Sequence, residues 1–264
     1  MLKGKKIVLG VTGGIAVYKA VDLVSKLRKQ GAEVRVVMTE HAQQFVTPLT
    51  FKEISGNKVA VSMWNANQEF NVEHIALADW ADLFMVVPAT ANIIAKMAYG
   101  IADDLLSTTL LAAHSPVIVC PAMNTHMYEN PATQENIAKI KSRGIVVMPP
   151  ASGVLACGAV GAGRLPEPAD IVNFVKNFFA KTEGDMRGLK VLVTAAGTRE
   201  PIDPVRYVGN RSSGKMGYSI AQAAAERGAE VTLVTGPSAL TPPPNIKVVN
   251  VETTQQMMDA CLAV

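Results

Sequence analysis

Three separated side chains carry the chemistry available to this sequence. They are His74 in Asn71-Val72-Glu73-His74-Ile75, Asn124 in Pro121-Ala122-Met123-Asn124-Thr125-His126-Met127, and Cys157 in Leu155-Ala156-Cys157-Gly158. An imidazole titrates near neutrality and can place or move a proton. A primary amide offers N–H donors to a carboxylate and has no proton to lose. A thiol on a loop that reaches over a substrate can supply a proton. Together these are the parts of a redox-assisted decarboxylation site. Singly, each has a plainer reading: a surface or capping histidine, a helix-capping asparagine, a buried structural thiol. The plainer reading is taken for Cys120, in an apolar strand, and for Cys261, in a helix. It is also taken for Met123 and Met127, read as core residues.

The elements that must position them follow from the apolar pattern. Lys6–Val11 is short, apolar and β-branched, as a buried strand requires. A turn at Thr12-Gly13-Gly14 leads into an amphipathic helix over 16–30, ended by Gly31, and Glu33–Met38 forms the second strand. This βαβ opening predicts a doubly wound α/β fold on a parallel sheet. Further strands are expected over 83–87, 117–120 and 145–148. Helices are expected over 91–98, 103–113, 131–143 and 170–180. Residues 149–168, rich in Gly, Ala and Pro and holding Cys157, show no periodicity; an irregular stretch of that length is usually functional or disordered. A polar hinge is expected over 181–185. The pattern then restarts, with a strand over 189–194, a helix over 218–227 and a final helix over 254–264. Gly228-Ala229-Glu230-Val231 echoes Gly31-Ala32-Glu33-Val34 at the same joint. Two Rossmann-like openings in tandem are expected, over residues 1–180 and 188–264. The second holds too few strands to bury a doubly wound sheet, so a piece of a longer protein is expected.

Two loops suit a ligand. Gly13-Gly14 stands before a helix, where free N–H groups and a positive dipole end favour a phosphate. No GxGxxG fingerprint is present, so a dinucleotide is the subordinate reading, although Glu40 falls where an NAD site wants an acid. Pro88-Ala89-Thr90-Ala91-Asn92 follows a strand and opens a helix, giving small residues and a hydroxyl where open α/β sheets bind ligands. Capping by Thr90 is the plainer alternative.

Composition excludes several classes. The 264 residues carry a net charge of +3, and only 18% are charged while 49% are hydrophobic. Without a basic tract, nucleic-acid binding has no support. The apolar run after the amino terminus is too short to span a membrane. Three cysteines without paired spacing and four histidines without ligand spacing predict a reduced cytoplasmic protein without a metal site. The apolar content suits a sheet buried on both faces or an oligomer.

The motifs together resemble the flavin-dependent cysteine decarboxylase family. Pro121-Ala122-Met123-Asn124 through Met127 matches its Pro-x-Met-Asn-x-x-Met motif. Pro88-Ala89-Thr90-Ala91-Asn92 resembles its Pro-Ala-Ser-Ala-Asn-Thr, with Thr90 keeping the hydroxyl and Ile93 losing the last one. His74-Ile75, Leu77 and Trp80-Ala81-Asp82 match a third stretch. The resemblance implies FMN held by Gly13, Gly14, Ile15, Thr39, Pro88, Ala89, Thr90, Ala91, Asn92, Ser107 and Ala122. It implies His74, Asn124 and Cys157 as catalytic residues, with Asn124, Met127, Val154, Leu155 and Ala156 touching substrate. The implied reaction is the oxidative decarboxylation of 4′-phosphopantothenoylcysteine to 4′-phosphopantetheine, in a homotrimer or dodecamer with FMN at the subunit interface. A flavin decarboxylase of another cysteine-containing substrate, or a non-catalytic flavin-binding regulator, stays open beside it.

The second segment resembles the opening of the partner domain of such enzymes. Its marks are Val193-Thr194-Ala195-Ala196-Gly197-Thr198-Arg199-Glu200-Pro201-Ile202-Asp203-Pro204-Val205-Arg206 and Asn210-Arg211-Ser212-Ser213-Gly214-Lys215-Met216-Gly217. That domain uses CTP and Mg2+ to join phosphopantothenate and cysteine. The resemblance gives Arg206 and Asn210 to its substrate, and Gly197, Gly214 and Gly217 to close approach of a phosphate. The domain's later lysine and nucleotide loops have no counterpart before Val264, so ligase activity is not expected of these residues alone.

Overall fold

The computed structural model describes residues 2–64, 73–154 and 160–264. They form two compact units, residues 2–174 and residues 175–264, divided inside a long helix, Pro168–Glu183.

The first unit is built on β1 (Lys6–Val11), β2 (Glu33–Met38), β3 (Val59–Ala60), β4 (Leu83–Ala89), β5 (Val117–Pro121) and β6 (Val146–Val147). They lie in the order β3-β2-β1-β4-β5-β6, every neighbouring pair parallel. The connections hold α1 (Val17–Lys29), α2 (Pro48–Ser55), α3 (Glu73–Trp80), α4 (Ala91–Tyr99), α5 (Leu105–Ala112), α6 (Thr125–Glu129) and α7 (Pro131–Ser142). Parallel strands need crossovers, and helices packed on both faces leave the strands unbroken apolar runs. The last five residues of β1 and all of β4 are buried accordingly. Phe84, Val86 and Val119 meet Ile93, Ile94, Leu106 and Ile140 in the core; each fully buried side chain of this size contributes about 1.5–3 kcal/mol. The strand order reverses between β1 and β4, which opens a crevice at their carboxyl ends.

The structure corrects the reading of residues 149–168 as irregular. Ala151–Val154 (β7) and Val160–Arg164 (β8) pair antiparallel. Their small residues carry no alternation of apolar and polar positions, so the period-2 signal of a strand is missing. What fixes them is backbone contact. Met123 N–H donates to the Gly163 carbonyl at 3.0 Å, and a Cβ on Gly163, at φ +127°, would overlap the Met123 carbonyl oxygen. Residues 155–159, with Leu155, Ala156 and Cys157, lie outside the described residues. The helix α8 (Pro168–Glu183) is longer than expected and takes in much of the predicted hinge.

The second unit has β9 (Lys190–Ala195), β12 (Glu230–Thr235) and β13 (Lys247–Asn250) parallel in the order β13-β12-β9. An antiparallel hairpin, β10 (Arg199–Pro201) with β11 (Tyr207–Gly209), stands in the loop before α9 (Lys215–Glu226). Its core gathers Val193, Ala195, Tyr218, Ala221, Ala224, Val231 and Leu233. The last helix is α10 (Thr254–Leu262).

Candidate active site

A cleft of about 610 Å³ opens where the strand order reverses, lined among others by Gly13, Gly14, Ile15, Pro88, Thr90, Ala91, Ala122, Asn124 and Met127. With Gly163, Arg164 and Leu165 beside them, four separated sequence stretches converge on one concavity. α1 enters it without a side-chain cap and without an acidic residue in its first turn, while Lys26, Arg28 and Lys29 occupy its last. The positive end of its dipole thus faces the cleft uncompensated. A Cβ at Gly14 would meet no atom within 4 Å, so the turn leaves open space beside those N–H groups.

Thr12, which the sequence did not single out, ties the two walls. Its buried hydroxyl donates to the Pro88 carbonyl at 2.7 Å and accepts the Thr90 N–H at 3.1 Å. Thr90 itself caps α4, its hydroxyl accepting the Ile93 N–H at 3.4 Å, so capping and cleft lining coincide in one residue. Ala89 is fully buried beneath the loop, and Asn92 is exposed. Asn124 caps α6, its Oδ1 accepting the His126 N–H at 2.9 Å. Met123 packs against the core and also borders the cleft. Met127 is 49% exposed on the cleft wall, so its reading as a core residue is corrected.

Several expected residues stand elsewhere. Thr39 caps the 3-10 turn Glu40–Gln44, accepting the Ala42 N–H at 3.3 Å. Ser107 is locked in a capping box with Asp104 at the start of α5 and borders a separate cavity of about 150 Å³. His74 is half-buried near the start of α3 and does not line the cleft of its own chain. Val154 ends β7. The sequence also missed Lys19 and Arg164, both on the cleft wall. A lysine within a helix gives no signal of burial, and Lys19 is only 7% exposed. Cys120 fits its structural reading: burial pushes the thiol up to about 12, far from a reactive thiolate.

In the second unit a cleft of about 750 Å³ opens at the carboxyl ends of β12 and β13, bordered by Tyr218, Gly236, Ser238, Asn250, Glu252 and Gln256. Arg206 and Asn210 do not line it. Arg206 pairs with Asp203 at 2.6 Å across a turn, and the Asn210 side-chain Oδ1 accepts the Ser212 N–H at 2.9 Å. The glycines expected to admit phosphate are taken up by the protein itself. A Cβ on Gly197 would collide with the Asn210 amide, and one on Gly217 would lie 2.6 Å from Ala195 Cβ. Glu200, another residue the sequence reading passed over, accepts from the Thr254 N–H at 2.8 Å and its hydroxyl at 2.6 Å. These bonds hold its carboxyl below the ordinary glutamate value. Among the described residues no group of three or more His, Cys, Asp or Glu is placed to hold a metal ion, and no helix is long and apolar enough to cross a membrane.

Comparison with known proteins agrees with this division. Residues 1–180 match the flavoprotein family, and residues 186–264 match the DNA/pantothenate metabolism flavoprotein C-terminal domain. The coenzyme A biosynthesis bifunctional protein CoaBC of Vibrio vulnificus is 51% identical over 262 residues, covering 99% of this chain and 65% of the relative. That of Escherichia coli K12 is 51% identical over 256 residues, covering 97% and 63%. The chain thus spans a little under two thirds of the length of these relatives. Among solved structures, a PPC decarboxylase mutant complexed with pantothenoylaminoethenethiol is 32% identical with a TM-score of 0.60, covering 67% of this chain and 99% of that one. The FMN binding protein AtHal3 is 31% identical with a TM-score of 0.59, covering 67% and 97%. With a flavoprotein fold closed around a cleft at its switch point and the second domain's match following directly, the chain belongs to the flavoprotein family, in the two-domain arrangement of the bifunctional CoaBC proteins.

Proposed function

We propose that the first unit is an FMN-dependent decarboxylase acting in coenzyme A biosynthesis, converting 4′-phosphopantothenoylcysteine to 4′-phosphopantetheine. The observation that carries this reading is the convergence of the Gly13-Gly14 turn, the Pro88–Asn92 loop and Asn124 on one cleft. The residues fit a flavin: an uncapped helix start suits its phosphate, and the Gly, Ala, Pro and Met walls suit its ring. Bound there, FMN supplies a two-electron acceptor and donor, the electron sink that lets a carboxylate leave as carbon dioxide.

The chain's own side chains do the positioning and the proton work. Asn124 offers N–H donors to the substrate carboxylate from a helix cap that fixes its backbone. Met127 bounds the substrate on the exposed side. Cys157, outside the described residues, is assigned the proton that the ene-thiolate takes up after carbon dioxide leaves. His74 places the carboxylate or manages a proton. Its position outside the cleft of its own chain favours a site completed by a second copy, in a homotrimer or dodecamer. Exposed Ile15, Tyr18 and Met127 around the cleft suit such a contact.

For residues 186–264 we propose a role as part of the CTP- and Mg2+-dependent ligase that joins phosphopantothenate and cysteine, with Arg206 and Asn210 toward the acyl-cytidylate. The match of this segment to the pantothenate-metabolism domain supports that reading.

The test is mass spectrometry of products after incubating the flavin-loaded chain with 4′-phosphopantothenoylcysteine, beside Cys157→Ser. The expected result is 4′-phosphopantetheine from the wild type and a decarboxylated, oxidised product that stalls on the variant. No turnover by flavin-loaded, assembled wild type rejects this substrate.

A further inference from the structure

Among the described residues, the charged side chains lining the first unit's cleft are Lys19 and Arg164. They share one carboxylate. Lys19 Nζ lies 2.9 Å from Glu167 Oε1 and donates to the Leu165 carbonyl at 3.2 Å. Arg164 Nη2 donates to the same Glu167 oxygen at 2.6 Å. Two cations and one carboxylate leave a single positive charge. Lys19 is 91% buried at the side chain, whereas Arg164 keeps 44% of its side chain exposed. The excess charge therefore lies on Arg164, the more exposed of the two cations, on the wall of the cleft.

Arg164 is also held in place from two sides. Glu167 anchors its guanidinium, and the Lys19 hydrogen bond lowers that carboxyl below its ordinary value. The preceding residue, Gly163, accepts the Met123 N–H, one position before Asn124. Arg164 thus stands beside the segment assigned to substrate, while Glu167 also ties it to Lys19 in the first turn of α1. A planar guanidinium with donors beyond the one used by Glu167 suits a phosphate held by two parallel hydrogen bonds. An exposed i,i+3 ion pair with no ligand to serve would by itself add little to stability.

We propose that Arg164 is a specificity-determining residue that binds the phosphomonoester at the far end of the substrate. The assignment rests on the decarboxylase reading. The same chemistry is present in the phosphate of FMN, so the experiment separates the two sources. Specificity constants of flavin-loaded wild type, Arg164→Gln and Arg164→Lys are measured with 4′-phosphopantothenoylcysteine and with its dephosphorylated form. Retention of FMN against riboflavin is measured alongside.

The preference of the wild type for the phosphorylated substrate is expected to fall on the order of 10–100-fold in Arg164→Gln, through KM, and to recover in part in Arg164→Lys. The preference for FMN over riboflavin stays as in the wild type. Equal losses on both substrates overturn the assignment and leave Arg164 a structural ion pair. A lost preference for FMN over riboflavin overturns it in favour of the flavin phosphate. Absence of product from the wild type sinks the decarboxylase reading, and this assignment with it.

Discussion

The two units begin alike and diverge within a few residues. Each has a parallel strand, a helix and a Gly-Ala-Glu joint into the next parallel strand. In the first, β1 and α1 are separated by a short turn, so the helix start points directly into the cleft at the switch point. In the second, β9 and α9 are separated by a long loop with its own hairpin, and glycines there are filled by protein atoms. Burial follows the same contrast: β1 is buried over its last five residues, while β9 alternates. The lesson is that the βαβ unit supplies only a scaffold. The length of the strand-to-helix connection decides whether the helix dipole or a loop surface meets the ligand.

The sharpest way to break the first half of that comparison is Gly163→Val. Its side chain has no room against the Met123 carbonyl, and a β-branched residue is strained at φ +127°. Decarboxylation is expected to fall by about 100-fold or more, since a misplacement of about 1 Å at a site is that costly. Steady-state rates at matched flavin content check this. Gly217→Val tests the second half. The added atoms push α9 away from Ala195 and the Thr194 carbonyl, and overpacking of this kind costs about 1–3 kcal/mol. The loss should appear in denaturant unfolding of the second unit and leave flavin absorbance as in the wild type.

A smaller effect is expected from Thr12→Val, which leaves the Pro88 carbonyl and the Thr90 N–H without their buried partner. A loss of about 1–3 kcal/mol in stability, with weaker flavin retention, should follow. The smallest concerns pH. The Lys19 hydrogen bond lowers the Glu167 carboxyl below its ordinary value of 4.5. A depressed carboxylate stabilises the fold above that value and loses the contribution as pH falls through the folded one. Stability curves of wild type and Glu167→Gln should therefore converge only below about pH 4.5.

Much of the first unit was legible because its signals are local. The apolar β-branched run of β1, the glycine after α1 and Pro131 in the first turn of α7 each carry their element in their own residues. Asn124 and the Pro88–Asn92 loop were legible for the same reason, since each follows a strand directly. What escaped is non-local. Lys19 shows its role only through a carbonyl at Leu165 and a carboxylate at Glu167, far along the chain. The β7–β8 hairpin is fixed by backbone contact with Met123, which side-chain periodicity does not register. Thr39 and Ser107 use their hydroxyls in capping, a local role that the sequence motifs did not separate from ligand contact.

The most direct test of the central claim is carbon dioxide released per chain from 4′-phosphopantothenoylcysteine, for wild type and Asn124→Asp at equal bound flavin. The account predicts release by the wild type and a rate lower by about 100-fold or more in Asn124→Asp, where a carboxylate opposes the substrate carboxylate in place of an amide donor. Equal release by the two, or none from the flavin-loaded wild type, would contradict it.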